Sequence, residues 1–169
     1  MDVGVHVAST FYYGHGGIEM FFNVKDIEQL QANKEFIDTA IVPLVSLDFT
    51  DNGIKQSSSA AEYLMSLTAF IEQQFKGRLL LTPPFSYTQG TKNETLPIQV
   101  QEELLASGFK TVFFVTCDHF WTTVGQELDV IWLPSIPLES MEKAVKQRIL
   151  EDQLKQVIPI LTKAWSPKS

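Results

Sequence analysis

Cysteine occurs once, at Cys117, and histidine three times, at His6, His15 and His119. A lone thiol excludes an internal disulfide framework and a multi-thiolate zinc site within the chain. Basic charge is scarce: 13 Lys and Arg stand against 20 Asp and Glu, a net charge of −7. Nucleic acids and anionic membranes both need a basic face, so neither is an expected partner. No apolar run reaches the roughly 18 residues that span a bilayer. An export signal, with its basic start and continuous apolar stretch, is missing, which fits a cytoplasmic protein. Neither G-x-G-x-x-G after a strand nor G-x-x-x-x-G-K-[S/T] occurs, so no nucleotide loop and no cofactor are expected. What remains is 169 residues, 44% of them hydrophobic. That is the size of one domain with a substantial core, and it rules out wholesale disorder.

Residues 1–19 contain no Lys or Arg and hold two of the three histidines. Gly14-His15-Gly16-Gly17 opens no helix and is not a phosphate loop. Met20 follows Gly16-Gly17-Ile18-Glu19. Two glycine codons can read GGAGGN, which resembles a bacterial ribosome-binding site at normal spacing before ATG. We therefore expect translation to start at Met20 and residues 1–19 to be upstream leader, with residues 20–169 forming the single domain. The alternation of Val3, Val5 and Val7 leaves an added edge strand as the other reading.

From Asp26 onward, helix and strand patterns alternate. Asp26 with Gln29 reads as a helix start, with that helix reaching Phe36. Thr39–Val45 is a buried-strand run. Pro43 cannot donate to a ladder, so a bulge or strand end is expected there. Ser57-Ser58-Ser59 reads as the cap of a helix to Lys76, with a stripe of Ala60, Leu64, Leu67, Ile71 and Phe75. Gly77 closes it. Arg78–Thr82 is a second strand, stopped by Pro83-Pro84, and Phe85–Leu96 reads as a polar loop. Pro97 starts a helix ending at Gly108. Thr111–Thr116 is apolar in its middle, as a strand covered on both faces should be. A short helix over Phe120–Leu128 and a fourth strand over Val130–Leu133 follow. A last helix runs from Glu139 to Trp165, kinked or divided at Pro159. This is a βαβ pattern. It predicts an α/β protein, a three-layer α/β/α sandwich around a mostly parallel sheet of four or slightly more strands.

In such sheets ligands bind beyond the carboxyl ends of the strands. That edge collects Ser46, Asp48 and Thr50, then Ser86 and Tyr87, then Thr116, Cys117, Asp118 and His119, and finally Ser135. The structural alternative is that strand ends must turn and turns need such residues. Cys117 with His119 invites a thiol nucleophile, oriented by Asp118 or Asp48, against the plain reading of a small buried cysteine. A metal would need Asp48, Asp118 and His119, with Glu139 or Glu142, and one histidine among scattered carboxylates equally describes a solvated surface. Trp121, Trp132 and Trp165 read as core or interface. Asn93-Glu94-Thr95 is a glycosylation sequon without an export signal to make it relevant. The charged helix over Glu139–Lys163 offers one solvated face, with a homo-oligomer contact as its other use.

From Phe22 onward the chain resembles the YpiF family of uncharacterised proteins from spore-forming Gram-positive bacteria. The matching stretches are Asn23–Asp26, Asp38–Leu44, Gln74–Arg78, Gly108–Phe114, Ile131–Pro134 and Ile149–Gln153. That resemblance implies no activity, cofactor or catalytic residue. Three further stretches are similar to creatininase-type amidohydrolases. Val42–Asp48 looks like their first strand and P-V-G-S-x-E-Q-H-G turn, Leu80–Tyr87 like their strand and P-P-x-x-Y loop, and Gly108–Thr116 like the strand before N-G-H-G-G-N. In that likeness Asp48 falls at the metal-binding Glu and Thr50 at the His, while Cys117-Asp118-His119 replaces the glycine-rich turn. It implies a creatininase-like, Rossmann-like scaffold whose metal centre is dismantled. The leading expectation is a non-catalytic protein that binds a small molecule or a protein partner at the strand-end crevice, with no metal. The alternatives are a diverged metal-dependent amidohydrolase using Asp48, Cys117, Asp118 and His119, and an assembly protein.

Overall fold

The computed structural model describes residues 22–124 and 127–167. The leader expected at 1–19 lies outside the described residues. Within them the chain folds as an α/β protein with four α-helices and a five-stranded sheet. In chain order these are α1 (Val24–Ala32), β1 (Thr39–Ser46), α2 (Ile54–Gln74), β2 (Leu79–Leu81), β3 (Phe85–Tyr87), α3 (Thr95–Ala106), β4 (Thr111–Thr116), a 3-10 turn (His119–Thr123), β5 (Val130–Trp132) and α4 (Lys143–Trp165).

All the strand pairings are parallel. The order is β2-β1-β4-β5, with β3 also against β1. β1 is the hub because it is the longest apolar run, and seven of its eight residues are buried. Its side chains alternate between faces, as the strand period of two requires. Ile41 and Val45 join Phe113 and Val115 in one core with Leu64, Leu67 and Ile71 of α2 and Leu154, Val157 and Leu161 of α4. Ala40, Val42 and Leu44 join Val112 and Phe114 in another, with Trp121 and Tyr87, against which Ile98 and Leu104 of α3 pack. α1 adds a smaller cluster of Leu30, Ile37 and Leu80.

Several boundaries differ from the sequence pattern. The polar loop expected over Phe85–Leu96 begins with a strand: after Pro83-Pro84 the chain rejoins β1 along its upper half, Leu44–Ser46 beside Phe85–Tyr87. That adds a strand to the four apolar runs and makes the sheet five-stranded, within the four or slightly more expected. Pro43 causes neither bulge nor end; it stays in register opposite Val115. β2 pairs Thr39–Ile41 and β3 pairs Leu44–Ser46, so the missing donor falls where the neighbour changes. The cap of α1 is Asn23, whose side chain accepts from the Asp26 amide at 3.0 Å. α2 starts three residues before the serines, with Gly53 as N-cap. α4 begins at Lys143 rather than Glu139 and is one helix through Pro159. Among the described residues no helix is long and apolar enough to cross a membrane.

Candidate functional site

Because every strand points the same way, the loops after β1, β3, β4 and β5 meet at one edge. There they enclose an open cleft of about 890 Å³, within the size range of small-molecule sites. Leu44, Leu47, Ala60, Ala61 and Leu64 give it apolar walls. Six of the residues singled out in the sequence line it: Ser46, Asp48, Thr50, Cys117, Asp118 and Ser135. The loop after β3 supplies Thr88, Gln89 and Gly90. No Lys, Arg or His of the described residues lines the cleft.

Asp48 organises the turn between β1 and α2. Its Oδ1 accepts from the Thr50 amide at 2.9 Å and the Thr50 hydroxyl at 2.7 Å. Those two bonds hold its pKa below the usual carboxylate value. The Gly53 amide donates back to Thr50 Oγ1 and to the Thr50 carbonyl, both at 3.1 Å. Ser57, expected as a helix cap, instead clasps this turn from inside α2, accepting from the Asp48 amide at 3.1 Å and donating to the Asp48 carbonyl at 3.2 Å. A Cβ built on Gly53 would land on the Asp48 carboxylate, so only glycine permits this approach.

Asp118 organises the opposite wall. It receives Lys92 Nζ at 2.9 Å, the Tyr87 hydroxyl at 2.8 Å and the Phe120 amide at 3.0 Å. Tyr87 in turn accepts from the Trp121 indole at 2.6 Å. Partial burial pushes the Asp118 carboxyl up, but the Lys92, Phe120 and Tyr87 donors outweigh it and the pKa ends below normal. Burial drives the Tyr87 phenol well above its ordinary value. Lys92 Nζ also lies 4.3 Å from the Phe120 ring centroid. Lys92 was not among the expected site residues. Its one sequence signal is that it is the sole cation between Arg78 and Lys110.

The remaining predicted residues sit elsewhere. Tyr87 and Thr116 are buried and do not line the cleft, and the Thr116 hydroxyl accepts from the Asp118 amide at 3.0 Å. Ser86 is exposed on β3. His119 makes no bond to Cys117: the chain leaves the strand at Thr116 and enters a 3-10 turn, and the imidazole packs edge-on against Trp132 at 5.1 Å. No Cys–His pair is therefore assembled. Burial pushes the Cys117 thiol up to about 12, which leaves it protonated and a poor nucleophile at neutral pH. Glu139 accepts from the Ser59 hydroxyl at 2.9 Å, and Glu142 is the exposed N-cap of α4; neither lines the cleft.

The metal set considered from the residues, Asp48, Asp118 and His119, is not gathered at one point in this geometry. Asp48 is bonded to Thr50, Asp118 to Lys92 and Tyr87, and His119 lies outside the cleft. Among the described residues no three His, Cys, Asp or Glu side chains gather where they would hold a metal ion.

Fold and cleft define a parallel α/β protein with an open, hydroxyl- and amide-lined crevice at the carboxyl edge of its sheet. The chain belongs to the family described as "Protein of unknown function (DUF2487)", whose pattern matches residues 28–165. It is 27% identical over 147 residues to "Uncharacterized protein YpiF" of Bacillus subtilis (strain 168), a match covering 87% of this chain and 99% of that protein. No solved structure matches it.

Proposed function

We propose that this chain is a non-catalytic binding protein, cytoplasmic, whose ligand occupies the strand-end cleft. The scaffold reading that goes with it is a creatininase-like sandwich that has lost its metal centre. One observation carries the proposal: both carboxylates of the cleft are committed to holding loops. Asp48 is tied to Thr50, and Asp118 to Lys92, Tyr87 and the Phe120 amide. A general acid or base must be able to reach a substrate proton, and a nucleophile needs a base beside it. The cleft supplies a protonated thiol without a histidine partner. It does supply convergent polar groups over apolar walls, which is what a binding pocket needs.

The rival reading is a diverged metal-dependent amidohydrolase. The two are separated by incubating the full chain with Mn²⁺, Zn²⁺ and a panel of cyclic amides. No turnover above the metal blank is expected. Metal-dependent hydrolysis that disappears in Asp48→Ala overturns the binding reading.

A further inference from the structure

We infer that the cleft takes an uncharged, hydroxyl-rich ligand of the saccharide class and rejects phosphates. The inference rests on the binding reading above and adds the chemistry of the ligand.

The first support is what fills the usual anion position. In parallel α/β folds a phosphate binds at the first strand-to-helix turn, held by the helix N-terminus. Here that turn carries its own anion. The Asp48 carboxylate lies directly against Gly53, the N-cap of α2, and takes the Thr50 amide. The positive end of the helix favours that internal charge as it would a ligand's. A phosphate arriving there meets a carboxylate, and the cleft has no Lys, Arg or His of the described residues to offset the repulsion. Lys92, beside the opposite wall, is already paired with Asp118.

The second support is what the cleft leaves free. The side chains of Ser46, Gln56, Gln89 and Ser135 line it and make no hydrogen bond among the described residues. Hydroxyls and carboxamides both donate and accept, and so do sugar hydroxyls. Phe49 lines the same cleft with 69% of its surface exposed, offering an apolar ring to the C–H face of a sugar. A volume of about 890 Å³ accommodates one or two sugar rings.

The test titrates ¹⁵N-labelled full-length protein with maltose, N-acetylglucosamine, inorganic phosphate and a blocked tri-alanine peptide, reading the backbone amides of Thr88, Gln89, Gly90 and Phe49. Saturable shifts at millimolar sugar are expected, with none from phosphate. Gln89→Ala, an exposed loop change that leaves the core alone, should weaken the sugar by about fivefold, the value of one hydrogen bond. Shifts from phosphate or peptide without sugar overturn the ligand class but leave a binding cleft standing. Silence from every probe also overturns the ligand class, and sugar shifts that Gln89→Ala does not weaken overturn it as well. Release of glucose from maltose would keep the ligand class and sink the non-catalytic reading.

Discussion

The two ends of the sheet use the same three ingredients, an aspartate, a cation and an aromatic ring, to opposite effect. At the amino end Arg78 approaches Asp38 at 3.4 Å and stacks 4.1 Å from the Trp165 centroid. Trp165 donates to the Thr39 hydroxyl at 2.8 Å and meets Phe75 edge-on at 5.1 Å. At the carboxyl end Lys92 meets Asp118 at 2.9 Å and lies 4.3 Å from the Phe120 ring. The cations differ in burial: 42% of the Arg78 side chain is exposed but only 12% of Lys92. At the amino end the last turn of α4 lies over the strands and the cation stays outside, as a staple. At the carboxyl end the cation is inside, bracing the wall of an open cleft. A parallel sheet presents two edges of similar composition; the loops decide which one closes.

The largest expected effect separates these two cations. Lys92→Met strands Asp118 in a part-buried site and should cost about 2–3 kcal/mol, somewhat less than for a fully buried pair. Arg78→Met breaks a solvent-screened contact and should cost about 1 kcal/mol or less. Urea midpoints at constant slope measure both. Equal losses would mean that burial is not what distinguishes the ends.

The second effect is local. Gly53→Ala places a Cβ where the Asp48 carboxylate sits, so that carboxylate must move and release the Thr50 amide. Hydrogen exchange at Thr50 should then quicken by about tenfold, while buried β1 amides hold their protection. In an Asp48→Ala background the amide is already free, and Gly53→Ala should add nothing. Additive changes would break the link between the two residues.

The sequence disclosed what long, regular patterns can disclose. β1 and β4 were legible because continuous apolar runs have few other uses in a chain of this composition. α2 was legible from its stripe, of which Leu64, Leu67 and Ile71 are buried. β3 was not, because Phe85-Ser86-Tyr87 is too short to show a period and is a strand only because β1 has a free flank above β2. Three consecutive serines looked like a helix cap, but Thr50 had already captured the amides of Gly53 and Ile54, which sets the start earlier. The meeting of Asp48 with Cys117 and Asp118 followed from parallel topology alone. The exclusion of His119 did not, since it depends on the chain turning into a 3-10 helix directly after the strand. Lys92 was invisible for a different reason: its partner lies 26 positions away, and no local pattern links them.

The smallest effect tests whether the buried brace at the carboxyl end is electrostatic. The folded-state pKa of Asp118 is lowered from 3.8, so it contributes stability above that value and loses it as pH falls through the folded pKa. Wild-type stability should therefore decline below pH 3.8 with a slope to which Asp118 contributes. Asp118→Asn should make that acid limb shallower. Lys92→Met should do so in part, because Lys92 is one of three donors holding the pKa down. A residual slope must persist in both variants, since Asp48 and Glu139 are lowered too, by the hydrogen bonds to Thr50 in one case and by a backbone bond and Ser59 in the other. Solvent reaches all three carboxylates, so the change is modest beside the loss in Lys92→Met at neutral pH. An acid limb unchanged in Asp118→Asn would mean that the aspartate braces the wall through hydrogen-bond geometry alone, and that burial of Lys92 adds nothing from charge.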